Sequence, residues 1–427
     1  MEKNLNEIYS TFNESIGVCT DTRTLKKNQV FFALRGENFD GHNFVEKALK
    51  KGASKAVIDD SDFENENTIL VENVLETLQK LANYHRKVLD IPIIAITGSN
   101  GKTTTKKLVS EVLSTEFKIK ATQGNLNNHI GVPLTLLSFT HDIEIGIVEM
   151  GANHQKEIDF LCKIAEPSYG YITNFGKAHL EGFGGIEGVI KGKSELYDFL
   201  IENKGLIFLN RDDDIQVEKA IDHKHYSIGE SHLSDCNVNF IEADPYVKVE
   251  YENMHISSQL TGTYNFKNIS AGIGVGRYFG IEIENIKKAI ESFQPEDMRS
   301  QIIEKDHLKI LLDAYNANPT SMEAALKSFK KMSADKHVVI LGDMFEIGET
   351  SAEEHNNILK LATGLKFNQI YTCGEAFAKV AKSFDKVEAF DNIQNLKNNL
   401  KSKDFKNSFI LIKGSRGMKM ETLTDVF

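Results

Sequence analysis

Short apolar runs alternate with stretches of helical periodicity along most of the chain. The run QVFFAL (29–34) predicts a strand, followed by the turn GENFDG, a helical stretch HNFVEKALKKGA and a second strand KAVID. VLETLQKLANYHRKVL (74–89), with Leu75, Leu78, Leu81 and Leu89 at helical spacing, predicts an amphipathic helix that closes a small α/β unit. Pro92 breaks the pattern. IIAITG (93–98) then reads as a buried strand leading through Ser-Asn-Gly into the helical KTTTKKLVSEVLS. IEIGIVEMG (143–151), the helix HQKEIDFLCKIA and SYGYITNFG (168–176) continue the alternation, which predicts parallel βαβ units covered by helices.

Between 205 and 262 the pieces LIFLN (206–210), HYSIG (225–229) and YVKVEYENMHISSQL (246–260) follow one another without long helices. They predict an antiparallel flap or small sheet appended to the parallel core. FKNISAGIGVGRYFG (266–280) and the helix IENIKKAIESF (283–293) end near Gln294-Pro295, where a boundary is expected. Beyond it, LKILLDA (308–314), a helix from Pro319, HVVILGD (337–343), a helix from Ser351, QIYTCG (369–374) and SFILIKG (408–414) predict a second doubly wound unit. Its strands end in Asp313, Asp343 and Gly414, where ligands of such folds usually sit. The expectation is an α/β chain of three domains, 1–88, 89–295 and 296–427. These are a small N-terminal α/β domain, a central parallel sheet with added antiparallel strands, and a C-terminal Rossmann-like domain.

Composition narrows the function. With 50 Lys plus Arg against 61 Asp plus Glu, the net charge is −11, and basic residues are scattered, which disfavours nucleic-acid binding. No apolar run approaches the ~18–20 residues a spanning helix needs, so no membrane partner is expected. Cys19, Cys162, Cys236 and Cys373 are too far apart for a metal knuckle or a CxxC pair, and read as reduced thiols of a cytoplasmic protein.

The strongest chemical signal is TGSNGKTTT (97–105), which follows a strand and opens a helix. Backbone N–H groups of Thr97, Gly98, Ser99, Asn100 and Gly101, the helix N-terminus and Lys102 can hold a nucleotide triphosphate, with Thr103 and Thr104 entering the helix. Lys102 would reach the β/γ phosphates and the Thr103 hydroxyl would serve Mg²⁺. The strict G-x4-GK[ST] pattern is not met, because Ile96 occupies the first Gly position. The central unit is therefore read as a P-loop ATPase-like sheet that binds ATP or GTP.

This loop resembles that of the Mur ligase superfamily, ATP-dependent amide-bond ligases. NLNNHIGVPLTLL (125–137), IVEMGANHQKEI (147–158), ITNFGKAHLEGFG (172–184), GTYNFKNISAG (262–272), DAYNANPTSM (313–322), LGDMFEIGE (341–349) and LIKGSRGMKME (411–421) extend the likeness over essentially the whole chain. Within it the motifs are similar to the branch that adds D-alanyl-D-alanine to UDP-N-acetylmuramoyl-tripeptide (UDP-MurNAc-tripeptide). The DNPR-type motif of the branch adding diaminopimelate is absent. Folylpolyglutamate synthetases share the loop and lack TDTRTLKKNQVFFALRGENFDGHNF (20–44). The resemblance implies an ATP-dependent ligase acting through an acyl phosphate, forming ADP and phosphate, in the last cytoplasmic step of peptidoglycan precursor synthesis, as a monomer. A ligase adding a single amino acid, or a nucleotide-switched binding protein, are the competing classes.

The resemblance also distributes roles. Lys102, Glu149, His179 and Lys193 are the implied catalytic set. Thr103 would serve a first Mg²⁺, and Glu149, His179 and Lys193, the last as a CO₂-derived carbamate, a second. On residue type alone Glu149 also reads as a helix cap and His179 as a structural histidine, since Mg²⁺ prefers oxygen donors. Lys193 rather than Lys191 fits the carbamate register of KGKSELY (191–197). Asn268 and Asp313 are implied on the adenine and ribose sides. Arg299 is implied at the γ-phosphate, with a hinge salt bridge as its alternative. Thr22 and Arg23 are matched to the UDP-sugar, Asn128 to substrate, and Asn316 and Asn318 to the dipeptide. Lys413 and Arg416 read either as dipeptide contacts or as surface charges.

Overall fold

A computed structural model describes residues 2–295 and 298–427, with side chains from residue 5 onward; the expected boundary at 295/296 therefore borders residues outside the description. Val18–Cys19, Val30–Phe32, Lys55–Ile58 and Thr68–Leu70 form a parallel four-stranded sheet in that order. The helix Val74–Leu89 occupies the range its leucine spacing predicts. Asn73 caps it by accepting from the Glu76 N–H, and Asp90 ends it in a left-handed conformation.

The buried face of that helix serves two sheets. Leu78, Leu81 and Ala82 pack with Val30, Phe32 and Val57 of the first sheet and with Ile93, Ala95, Val132 and Leu161 of the central unit in one continuous core. Each fully buried Leu contributes roughly 1.5–3 kcal/mol, so this helix welds the first sheet to the second. A cut at 88/89 passes through its last turn.

The central sheet has seven parallel strands, in the order Cys236–Asn237, His225–Gly229, Leu206–Asn210, Tyr169–Ile172, Ile93–Thr97, Ile145–Glu149 and Ile119–Ala121. LIFLN and HYSIG are thus parallel members of this sheet, contrary to the expected flap. The seven-residue helix Asp214–Ala220, capped by Asp213, supplies the crossover between them and is too short to register as a helical period. The antiparallel part is confined to Asn239–Ala243, Tyr246–Tyr251 and Met254–Thr261.

The last unit is a six-stranded sheet ordered Gln301–Lys305, Leu308–Asp313, Ser408–Lys413, Lys336–Gly342, Gln369–Cys373 and Val387–Phe390. All neighbours pair parallel except the edge strand Gln301–Lys305, which is antiparallel. Ser408–Lys413 inserts between strands early in the chain, placing Lys413 beside Asp313.

Candidate active site

Every residue of the strand Ile93–Thr97 is buried, and the loop after it depends on two glycines. Gly98 has φ +136° and Gly101 φ +83°. A Cβ at Gly98 would lie 2.0 Å from Thr173 Oγ1, and one at Gly101 2.6 Å from Asn268 Oδ1, so a side chain at either position is both strained and crowded. The end of the neighbouring strand clasps the loop. The Ser99 N–H donates to Asn174 O at 3.0 Å, Asn100 N–H to Asn174 Oδ1 at 3.2 Å, and Thr173 Oγ1 to Asn100 O at 2.6 Å. Lys102 Nζ, at the start of the helix Lys102–Leu113, donates to Gly98 O at 2.6 Å and Ser99 O at 3.3 Å. Burial holds its pKa below the ordinary lysine value, Glu149 opposes that shift, and the Arg299 charge adds to it.

Glu149 ends a strand buried at all five positions, and its carboxylate faces the loop. Oε1 accepts from Asn127 Nδ2 at 2.8 Å and Thr103 Oγ1 at 3.4 Å; Oε2 lies 3.1 Å from Lys106 Nζ, outside hydrogen-bond geometry. Burial pushes its pKa up, but Lys106, Lys102 and Asn127 outweigh that and hold it below the ordinary carboxylate value. Glu149 is therefore a charged group held in the interior, and caps no helix there.

Lys193 and Lys191 separate on the helix Ile186–Glu202: Lys193 is buried and Lys191 exposed. Lys193 Nζ donates to Ala152 O at 3.1 Å and sits 5.0 Å over the Phe183 ring. Burial, reinforced by the charge of Lys102, holds its pKa well below the ordinary value, which favours a neutral amine. His179, at φ 53°, places Nδ1 2.5 Å from Glu346 Oε2 of the C-terminal unit. Burial lowers its pKa against the pull of Glu346.

The C-terminal unit completes the surroundings. Asp313 Oδ2 accepts from Lys413 Nζ at 2.6 Å, and Lys413 is 2% exposed, which rules out a surface charge. Arg416 is exposed, with its guanidinium 5.1 Å over the Tyr315 ring. The Arg299 guanidinium lies 3.6 Å over the Tyr315 ring and its buried Nε has no hydrogen-bond partner among the described residues. Asn318 caps the helix Pro319–Lys331 and donates from Nδ2 to Asn100 Oδ1 at 2.7 Å, joining this unit to the phosphate loop. Asn268, under Gly101, accepts from Thr105 Oγ1 at 3.0 Å and donates to Asn265 Oδ1 at 2.7 Å.

A cavity of about 580 Å³ brings most of these groups together. Its lining includes Ser99–Thr104, Asn128, Glu149, His179 and Asn268 from the central unit, and Arg299, Asp313, Asn316 and Lys413 from the C-terminal one. Thr97 lies beneath it, donating to Met150 O at 2.8 Å. Asn128 accepts from Ile130 N–H and Gly131 N–H while lining the wall, and Asn316 accepts from the Ala317 N–H. Lys193 is beside this cavity, behind Ala152, and Thr22 and Arg23 are apart from its lining. Thr22 is buried and its carbonyl accepts from Lys51 Nζ, while exposed Arg23 is clasped by Asp21 at 2.7 Å.

Sequence reasoning missed Lys106, Asn127, Tyr315 and Glu346. Lys106 carried a signal, standing one helical turn after Lys102. Tyr315 and Glu346 carried none: Tyr315 matters because Arg299 and Arg416 fold against its ring, and Glu346 because two units meet at His179.

Known proteins resemble this chain in sequence and fold. The family description "Mur ligase middle domain" matches residues 96–276, "Mur ligase, glutamate ligase domain" 298–416, and "Mur ligase family, catalytic domain" 16–86. The chain is 36% identical over 421 residues to the UDP-N-acetylmuramoyl-tripeptide–D-alanyl-D-alanine ligase of Bacillus subtilis, covering 95% of this chain and 92% of that one. It is 30% identical to the protein of that name from Escherichia coli, covering 95% and 92%. Among solved structures, MurF from Acinetobacter baumannii superposes with a TM-score of 0.86 at 31% identity, covering 96% and 92%. MurF ligase from Thermotoga maritima in complex with ADP gives 0.85 at 26% identity, covering 98% and 97%.

Proposed function

The chain belongs to the Mur ligase family, and from that premise we propose how its residues carry the reaction. It is an ATP-dependent ligase of peptidoglycan synthesis that joins D-alanyl-D-alanine to UDP-MurNAc-tripeptide, forming ADP and phosphate. The peptide carboxylate attacks the γ-phosphorus of ATP, giving an acyl phosphate and ADP. The dipeptide amine then attacks the acyl carbon, loses a proton, and phosphate leaves. The observation that carries the residue assignment is the single cavity in which the phosphate loop, Glu149 and His179 face Arg299, Asp313 and Lys413.

The loop N–H groups and Lys102 bind the triphosphate, and Arg299, flat against Tyr315, meets the γ-phosphate from the opposite wall. Asn268 supports Gly101 on the adenine side, and Asp313, fixed by Lys413, stands on the ribose side. Asn316, Asn318 and Arg416 receive the dipeptide, Asn128 the acceptor peptide, and Thr22 and Arg23 the UDP end. Domains 1–88, 89–295 and 296–427 thus take the UDP-sugar, ATP and the dipeptide. Water is excluded from the acyl phosphate where the two larger units meet.

The donor set suits Mg²⁺. Glu149 offers two buried carboxylate oxygens, Oε2 paired with Lys106 Nζ at 3.1 Å and Oε1 beside Thr103 Oγ1, and both residues are oxygen donors. Among the described residues no three His, Cys, Asp or Glu side chains cluster as a metal site, so a second ion on Glu149 and His179 depends on a modified Lys193 as its further ligand. Carbamylation consumes a neutral amine and CO₂ and releases a proton, and the burial of Lys193 favours that amine. Bound Mg²⁺ neutralises charge between triphosphate and carboxylate. ATP and UDP-linked substrates, with no helix among the described residues long and apolar enough to cross a membrane, support the cytoplasm.

The test is the purified protein with ATP, Mg²⁺ and UDP-MurNAc-tripeptide, offered single amino acids and D-dipeptides in turn, with products weighed by mass spectrometry. A product carrying D-alanyl-D-alanine is expected. ADP release with no amine-dependent product would overturn the proposal.

A further inference from the structure

The segment Thr173–His179 leaves the strand Tyr169–Ile172 and touches two partners at once. On one side it braces the phosphate loop: besides the Thr173 and Asn174 contacts, Ser99 Oγ donates to Gly176 O at 2.7 Å. On the other it meets the C-terminal unit. The Lys177 N–H donates to Thr320 Oγ1 at 2.9 Å, and Lys177 Nζ to Glu354 Oε1 at 2.6 Å. Gly176 is wedged between them, since a Cβ there would lie 2.8 Å from Asn100 Nδ2 and 3.2 Å from Thr320 Cγ2. One residue therefore separates the loop that holds ATP from an ion pair to the other domain.

That ion pair differs from the ordinary surface pairs of this chain. Glu323 and Lys327, one turn apart on one helix, have side chains 52% and 55% exposed, and such pairs contribute little. Glu354 belongs to the helix Ser351–Gly364 and its side chain is 10% exposed, while that of Lys177 is 47% exposed, so the pair is half-buried on the C-terminal side only. Its partner comes from another domain, so the pair exists only while the two units are docked, and its whole strength biases the docked arrangement.

We infer that Lys177 is a positioning residue for ligation: through Glu354 it latches the C-terminal unit onto the segment that braces the phosphate loop, holding Arg299, Asp313 and Lys413 over the nucleotide. The latch acts through these residues, with no contact of its own to substrate in the cavity lining. It rests on the ligase reading for its kinetic consequence and on geometry alone for its structural one.

The test compares Lys177→Glu, Glu354→Lys and the doubly reversed chain with the wild type. Each single reversal puts like charges together and is expected to lower kcat/KM for D-alanyl-D-alanine about tenfold. The affinity for ADP, held mainly by the central unit, should change less than about twofold. Small-angle scattering with a nonhydrolysable ATP analogue, Mg²⁺ and UDP-MurNAc-tripeptide should give a larger radius of gyration for each single variant. The double reversal should restore both compactness and kcat/KM to within about threefold of wild type, which separates the latch from simple misfolding. Single variants as compact and active as wild type, or a double variant as impaired as the singles, would overturn the latch. The scattering needs no turnover, so a wild-type chain that compacts and makes no dipeptide product counts against the ligase reading and leaves the latch supported.

Discussion

Lys106 is the residue whose removal tests the interior electrostatics most sharply. Its side chain is 4% exposed, that of Glu149 is 2% exposed, and their charged atoms are 3.1 Å apart. At an effective dielectric of about 20, two charges at that separation attract by about 5 kcal/mol, most of it offset by the cost of taking both out of water. Removing one partner leaves the desolvation of the other uncompensated, at about 3–5 kcal/mol. In Lys106→Met, Glu149 keeps the Asn127 donor at 2.8 Å and the field of Lys102, so the loss belongs at the low end, about 3 kcal/mol. Glu149→Gln strands Lys106 in the same way. The double variant removes both charges and should lose about 2 kcal/mol less than the sum of the singles. The chain has no Trp, so urea transitions followed by circular dichroism provide the measurement. Unfolding of three domains need not be two-state, so the cycle is compared at one wavelength and one protein concentration. Single losses that add up to the double within about 0.5 kcal/mol would refute the pairing.

Gly101→Ala should weaken ADP binding about tenfold in calorimetric titration, because an L-residue at φ +83° costs roughly 1–2 kcal/mol and its Cβ meets Asn268 Oδ1; an unchanged affinity would refute the packing argument. Lys193→Arg should abolish ligation, and wild-type activity should fall in CO₂-depleted buffer and return with bicarbonate; indifference to bicarbonate would remove the carbamate. Chelation by EDTA should stop turnover and excess Mg²⁺ restore it, with full activity in EDTA the refuting result. Burial holds His85, His337 and His355 below the ordinary histidine pKa. The unfolded chain therefore takes up protons first, and stability present above about pH 6.5 is lost as pH falls from there toward the folded-state values. The urea midpoint should drop between pH 7 and 5, less so in His355→Gln, which keeps an acceptor for the Met344 N–H; a flat profile would contradict the sign.

Several site residues were legible because their chemistry is local. The strand, glycines, lysine and helix of TGSNGKTTT are contiguous, and φ values of +136° and +83° at Gly98 and Gly101 are what such a loop demands of those positions. The choice of Lys193 over Lys191 was also local, since two residues along a helix change the face presented. Asp343 shows the limit. It ends a strand as a ligand-binding residue would, yet its carboxylate accepts from Ala376 N–H and Phe377 N–H and caps the helix Glu375–Ala381. A strand-end aspartate has the same sequence signature in either role.

Periodicity, turn chemistry and the phosphate loop were determined by sequence alone, because each depends on residues within one or two turns of one another. They were enough for the α/β class, the helix Val74–Leu89 and the strand–loop–helix shape of TGSNGKTTT. Tertiary structure alone decided the parallel pairing of Leu206–Asn210 with its neighbours, the insertion of Ser408–Lys413 beside Leu308–Asp313, and the burial of Lys413 against Asp313. It also decided that Lys106, Tyr315, Glu346 and Glu354 face groups far away along the chain. Strand order and burial follow from which surfaces pack together, and that depends on free energies summed over the whole fold, which no short window of sequence contains.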